Sequence, residues 1–362
     1  MEEIYYLKQQ EKQRTRELYE NSFPEDSTEF VDYYYEWKIK ENEILVMGDQ
    51  KLQVMIHLNF YDLWINGHVR NVPYLVAVAT DPGCRRQGKM GRVMKQALQD
   101  LSKKSVPFTF LLPADPAYYT GQGFVFFPQQ GSENRRRETG QPLLKAAEAG
   151  PGIFEAEGTG DSLEWKQARP EEFGKMAEFA NQLLGKRYQI FVKRDVYYYQ
   201  RLLAETRAEH GNVLLLKSEE NIQGILVYGT EEAEKKGEKP IAEIKELLLA
   251  SEPELEQKKA LCEIALPGCA ISFGESQMMA RITDLASFLP ILKSSERHSL
   301  CVKVRDDLIS SNCGCYRMEI GEEGGRIERI SEERGDRCQE LTIAELAELL
   351  LDDTTVFLNE WV

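Results

Sequence analysis

Residues 76–98 read VAVATDPGCRRQGKMGRVMKQAL. A run of small and branched apolar residues leads through Asp81-Pro82-Gly83 into Arg85-Arg86-Gln87-Gly88 and straight into a helical pattern. A glycine turn at a helix start presents backbone N–H groups that have no intrahelical partner. The helix dipole adds positive potential at the same point. Together they make an anion site suited to a pyrophosphate. Gly88 lets a ligand approach the backbone without a Cβ in the way. Arg85 and Arg86 offer charge-assisted contacts. The spacing is neither that of a GxxxxGK[ST] P-loop nor that of a GxGxxG dinucleotide turn. A basic helix start with no ligand has the same residues, so the turn alone does not decide a function.

A second element follows. Residues 113–127 read PADPAYYTGQGFVFF, with Tyr119 four residues before Gly123-Phe124 and Tyr118 beside it. Two core or surface tyrosines are the plain alternative. The two elements, in this order and with the strand-like VPFTFLL of 106–112 between them, point to one site rather than two accidents.

An RxxGxx turn after a strand resembles the acetyl-CoA signature of the GNAT acetyltransferases. Met90 stands where that pattern has a small residue. Tyr119 before Gly-Phe resembles the second GNAT signature. Along nearly its whole length the chain is similar to the enhanced-intracellular-survival (Eis) acetyltransferase family. The stretches that carry this are FPED (23–26), RRQGKMGRVM, YYTGQGF, RDVYYYQRLLAE (194–205), MMARITDLASFL (278–289), LTIAEL and the terminal FLNEWV. The resemblance implies two tandem GNAT-like domains, a sterol carrier protein-like third domain and a hexamer.

It also implies a mechanism. The backbone of Val78, Ala79 and Thr80 would pair with the pantetheine arm of acetyl-CoA, and an N–H there would polarise the thioester carbonyl. Arg85, Arg86, Gln87, Gly88, Lys89, Met90 and Gly91 would hold the pyrophosphate, and Ala114 and Asp115 would touch the cofactor. Tyr119 matches the general acid. A phenol at about 10 is a weaker acid than an alkyl thiol at about 8.5, so a strong hydrogen bond to the departing thiolate is the easier role. The base implied by the family is the carboxylate of Val362, with Glu360 as a nearby alternative. The acceptor pocket would draw on Phe23, Glu25, Asp26, Tyr33 and Trp37. Aromatic faces attract cations, although Tyr and Trp at helical spacing are more often core.

The elements that must position these residues follow from periodicity. Helices are expected at 12–21 and 27–40, strands at Glu43–Met47, Leu52–Phe60, Val69–Thr80 and 106–112, and a helix at 88–103. Glycine, alanine and acidic residues at 132–137 and 145–162 suggest a linker. A second α/β unit follows, with helices at 170–185 and 193–209, strands at 212–217 and 222–229, and an acidic helical region at 241–260. A third runs from a strand and helix at 278–292 through strands at 299–305 and 315–320. It ends in a helix at 341–351 capped by Thr342 and a strand reaching the last residue. The fold class is thus α/β of the α+β kind: residues 1–150 the catalytic GNAT domain, 151–275 a second, non-catalytic GNAT-like domain, and 276–362 the sterol carrier protein-like domain.

At 362 residues the chain is long enough for two or three cores. Its net charge of −15 disfavours nucleic acid and anionic membrane and favours cationic small molecules. No apolar run is long enough to span a bilayer, and the N-terminus lacks an apolar signal region; a cytoplasmic location is expected. Seven cysteines, with no CxxC pair, and four histidines argue for reduced thiols and no metal site. The reading is an acetyl-CoA-dependent N-acetyltransferase for aminoglycoside- or polyamine-like amines. A lysine acetyltransferase for proteins and an apolar-ligand carrier built on the third domain are the alternatives.

Overall fold

The computed structural model describes residues 3–128, 144–145, 153–156, 162–219, 221–233, 237–274, 277–331, 338–352 and 354–360. Among these residues the architecture is mixed α/β, with three sheets of nine, seven and four strands. The first sheet runs Ile4–Tyr6, Glu43–Gly48, Leu52–Ile65, His68–Thr80, Phe108–Leu111, Met279–Ile282, Val125–Phe126 in spatial order. Ile190–Val192 pairs antiparallel to the far end of Leu52–Ile65, and Val356–Phe357 lies parallel to Ile190–Val192. One sheet therefore takes strands from the beginning, the middle and the end of the chain.

The helix Lys89–Lys103 covers one face of that sheet. Its Val93, Met94, Ala97, Leu98 and Leu101 recur at helical spacing and are buried, which is the amphipathic pattern that fixes such a helix on a sheet. The other face is covered by a 3-10 turn at Gln9–Thr15 and helices at Arg16–Ser22 and Thr28–Trp37. Ser27 starts the last of these by accepting from the Phe30 N–H at 3.1 Å, a standard N-cap contact. Thr342 caps the helix Ile343–Leu351 in the same way, and Glu345 returns a bond to the Thr342 N–H.

The second sheet is an antiparallel meander with one parallel edge. The helices Phe173–Arg187 and Val196–Ala208 precede its central strands. That order echoes the helices and strands of the first sheet, consistent with tandem units of one kind. The third sheet joins Gly324–Ile330, Gly314–Gly321, His298–Arg305 and Gln339–Thr342.

Several expectations change. Residues 241–249 form a strand, and the helix starts only at Leu255. The acidic composition suggested a helix surface, but burial alternates along IAEIKELLL, which is strand periodicity. The stretch 145–162 includes the strand Ile153–Ala156 and leads into Ser162–Gln167. Among the described residues the terminal strand is Val356–Phe357, and 358–360 do not continue it. The thiols are not all reduced: Cys301 and Cys338 form a disulfide. The parallel register Val302↔Gln339 puts them side by side, a neighbourhood hidden by 37 residues of separation. Cys84, Cys262, Cys269, Cys313 and Cys315 are free thiols. No described helix is long and apolar enough to cross a membrane.

Buried charge ties the segments together. Arg194 is buried, and its guanidinium donates to Glu246 at 2.6 Å and to Glu360 at 3.0 Å. It also lies 4.1 Å from the ring centre of Tyr198. Removing one partner of such a network strands the others without water.

His57 is buried with its Nδ1 3.0 Å from the Tyr34 hydroxyl. Loss of water, and then Lys12, push its pKa down to about 3. The folded chain keeps His57 neutral to that pH, whereas an unfolded histidine takes a proton below about 6.5. The contribution of this site is complete above pH 6.5 and falls as the pH drops towards 3, by up to about 5 kcal/mol. Urea unfolding between pH 6 and 4 should therefore show a stability slope that His57→Gln lowers by up to about one proton. An unchanged slope in the variant would remove His57 as its source.

Candidate active site

The strand His68–Thr80 parts from its neighbours where the sequence placed the chemistry. Met55 pairs with Ala79, and His57 with Val76. Three steps on one strand therefore face two on the other, which is a bulge. Ala77 sits in it at φ 49°, a conformation that costs an L residue about 1–3 kcal/mol. On the other edge the parallel pairing to Phe108–Leu111 is recorded at Tyr74↔Phe110. Past Tyr74 the two strands diverge, and among the described residues Ala77 and Val78 have no register partner on either side. An extended ligand bearing amides would find room to pair along this stretch.

The strand ends in a braced turn. Asp81 donates its N–H to the Gln53 carbonyl at 2.8 Å. Its carboxylate accepts from the Gly83 N–H at 2.9 Å and pairs with Lys51 at 2.6 Å. Lys51, then that N–H, hold the Asp81 carboxyl below the usual range. Arg85 Nε donates to the Thr80 carbonyl at 3.2 Å, and Gln87 reaches back to the Gly83 carbonyl. Arg86 adopts φ 58° and Gly88 φ 71°, and the helix starts at Lys89. Its first turn carries no acid. A Cβ on Gly88 or on Gly91 would meet no atom within 4 Å. The turn is thus open to solvent where a pyrophosphate would lie, with N–H groups and dipole aimed outwards. Lys89 instead donates to the Gln53 side chain. Met90 is half-buried against the main core, which explains how a large residue stands at that motif position: its side chain leaves the cradle, and Gly91 is the open one.

Tyr119 sits in a single helical turn, Ala117–Thr120, after Phe108–Leu111. Asp115 opens the turn by accepting from the Ala117 N–H at 2.9 Å, and Ala114 is exposed beside it. The two tyrosines separate cleanly. Tyr118 is 68% exposed and Tyr119 only 7%. Phe124 packs edge-on against Tyr119, with ring centres 5.7 Å apart. Burial, then Tyr118, push the Tyr119 phenol up to about 12. It is therefore neutral, and a donor, at any working pH.

On the acceptor side, Asp26 accepts from the Tyr19 hydroxyl at 2.8 Å. Burial raises its carboxyl above the usual range, against the Tyr19 bond. Phe23 is half-buried, packed against Tyr19, and Glu25 is exposed. Tyr33 is buried and donates to Glu205 at 2.8 Å. Trp37 lies against Tyr197 at 6.4 Å. The sequence did not single out the buried charges behind them. Lys38 donates to the Tyr61 hydroxyl at 2.6 Å and lies 3.6 Å from Glu205. Burial, then Arg201, bring its amine down to about 7. Burial lifts Glu209, paired with Lys245, to about 7. Tyr197, Arg201 and Glu205 recur every four residues in the helix Val196–Ala208, and that spacing of aromatic, cation and acid was the missed signal.

Glu360, one of the two candidate bases, is held by Arg194 and by the Tyr198 hydroxyl at 3.3 Å. It is committed to that network. Val362 lies outside the described residues. No group of three or more metal-ligating side chains occurs among the described residues.

Residues 3–127 match the family model of an acetyltransferase (GNAT) domain. This part of the chain is a GNAT acetyltransferase domain. It contains the opened strand, the turn and Tyr119, so the chain is an acyltransferase. No curated protein matches the chain. Solved structures align over nearly all of it. A conserved Enterococcus faecalis protein of unknown function, described as a probable N-acyltransferase, covers 97% of this chain and 90% of its own at 15% identity, with TM-score 0.68. A GCN5-related N-acetyltransferase from Anabaena variabilis covers 96% and 90% at 15% identity, also with TM-score 0.68. Eis1 from Mycobacterium abscessus covers 97% and 89% at 13% identity, with TM-score 0.62. At these identities the likeness is one of fold, and it extends well beyond the GNAT domain.

Gly88→Ala tests the cradle. A left-handed φ costs alanine about 1 kcal/mol of stability. Its methyl would stand in the open space over the turn. The KM for acetyl-CoA should rise about tenfold or more, with a smaller change in kcat. An unchanged KM would place the cofactor elsewhere.

Proposed function

We propose that the chain transfers the acetyl group of acetyl-CoA to a primary amine of a cationic small molecule, polyamine- or aminoglycoside-like. The observation that carries this is the combination, within residues 3–127, of a strand without register partners at Ala77 and Val78 among the described residues, an open helix start at Gly88, and a buried phenol at Tyr119.

On this reading the pyrophosphate rests on the N–H groups and side chains from Arg85 to Gly91. The pantetheine arm takes the place of the missing strand along Val78, Ala79 and Thr80. A backbone N–H there bonds the thioester oxygen and grows stronger as that oxygen gains charge. The amine nitrogen attacks the carbonyl carbon, and the C–S bond breaks. The sulfur takes its proton from Tyr119, and the phenol recovers one from the nitrogen by way of solvent. The proton leaving the amine thus balances the one on the thiol. With the phenol near 12 in the unliganded site, full transfer to a thiolate of about 8.5 would be uphill by about 5 kcal/mol. Tyr119 therefore works mainly as a hydrogen-bond donor that is charged late.

Acidic groups support a cationic acceptor. Asp26 and Glu209 share Lys245 as a neighbour, and Glu209 lies near Glu205. The net charge of −15 adds long-range attraction. The carrier reading gains no support from residues 280–350. Phe288, Leu289, Val302, Met318 and Leu346 are buried in one core that continues into the catalytic sheet.

Thiol release from acetyl-CoA should be measured with spermidine, neomycin and a lysine peptide. Amine-dependent release is expected, fastest with one of the polycations. Tyr119→Phe should lower kcat about 100-fold or more while the KM for acetyl-CoA changes little. Because the neutral phenol persists to about pH 12, the wild-type rate should show no alkaline fall from Tyr119 below pH 10. Preference for the lysine peptide would favour the protein-acetylating alternative, and an active Tyr119→Phe would remove Tyr119 from the chemistry.

A further inference from the structure

The turn that carries Tyr119 is too short to hold itself. A four-residue helix has no stability of its own. Its closing bonds are local: the Gln122 N–H donates to the Tyr119 carbonyl at 2.9 Å, and the Gly123 N–H to that of Thr120 at 3.0 Å. A residue from far along the chain completes it. The strand Met279–Ile282 enters the first sheet between Phe108–Leu111 and Val125–Phe126, the two strands that flank the Tyr119 turn. From it, Arg281 reaches the turn. It is 1% exposed, and its Nε donates to the Gln122 carbonyl at 2.8 Å. One further nitrogen donates to Asp306 at 2.7 Å and another to the Ile282 carbonyl.

Gly123 is shaped to this contact. It adopts φ 82°, and a Cβ there would stand 2.7 Å from Arg281 Nε. The backbone of the turn thus lies directly on the guanidinium. Asp306 is itself immobilised, accepting from the Leu308 and Ile309 N–H groups at 3.0 Å and from Asn312 at 2.9 Å. A planar fork bonds a carbonyl with Nε and a carboxylate with its far end from nitrogens held a fixed distance apart, whereas an ammonium donates from one point.

We propose that Arg281 is a positioning residue for Tyr119: it fixes the 117–123 turn so that the phenol stays aimed at the thioester. This rests on the role given to Tyr119 above. It makes the third segment of the chain part of the acetyl-transfer machinery by a route independent of the C-terminus.

The test is a kinetic double-mutant cycle with acetyl-CoA and the most active amine of the panel. Arg281→Lys keeps the charge beside Asp306 and gives up the fork. In the wild-type background it should lower kcat about tenfold or more, as misplacement of a reacting group does, with KM for acetyl-CoA changed less than about threefold. In the Tyr119→Phe background it should cost less than about twofold, because the group through which it acts is gone. Equal losses in both backgrounds would make Arg281 a structural residue and overturn the proposal. If Tyr119→Phe alone is fully active, the tyrosine role fails first and Arg281 loses its target. Should Arg281→Lys melt early, Asp306→Asn, which weakens the anchor while keeping its shape, is read through the same cycle and must show the same dependence on Tyr119.

Discussion

A polar backbone opened in the middle of a sheet must be given partners, and most of the first sheet is arranged around one such opening. The strand His68–Thr80 is paired on both sides at Tyr74, and past it Ala77 and Val78 lie in a bulge against Leu52–Ile65 with no register partner among the described residues. The surroundings hold it apart. Thr109 bonds the Pro73 carbonyl at 2.7 Å just before the divergence. Tyr74 stacks on Phe110 with ring centres 5.1 Å apart. Beyond it, Asp81 is pinned to Lys51 and to the Gln53 carbonyl. The opening is therefore fixed at both ends before any ligand arrives, which is the preorganisation that binding and catalysis both reward.

The first sheet also takes strands from later in the chain. Met279–Ile282 covers the edge of Phe108–Leu111 opposite His68–Thr80, leaving the opening itself uncovered. Ile190–Val192 pairs with the far end of Leu52–Ile65, beyond the reach of Glu43–Gly48. Charges then lock the borrowed strands: Arg281 to Asp306, Arg194 to Glu246 and Glu360. Each is buried and each joins segments far apart in sequence, so each would be costly to break on one side only. The acidic groups left near Asp26 are partly neutralised by Lys245, Lys38 and Arg201.

What was legible in the sequence was local. The turn at 81–91 and the Tyr119 motif are short, and the elements they need, a strand end, a glycine and a helix start, were readable where the structure has them. The helix Lys89–Lys103 and the Thr342 cap were readable from periodicity and from one hydroxyl. What failed was non-local or masked by composition. The strand Ile241–Leu249 looked helical because its acids include Glu246, which is buried only because Arg194 meets it from another segment. The bridge Cys301–Cys338 depends on a parallel register that no spacing reveals. Arg281 lies 159 residues from the carbonyl it holds, and within MMARITDLASFL it reads as one more strand residue.

The central claim is that acetyl-CoA completes the opened strand with its thioester beside Tyr119. A crystal structure with coenzyme A tests this most directly. The account requires the pantetheine amides paired with the backbone between Val76 and Thr80, the pyrophosphate over Gly88, and the sulfur within hydrogen-bond reach of the Tyr119 hydroxyl. Coenzyme A bound away from that opening, or with its sulfur remote from Tyr119, would contradict it.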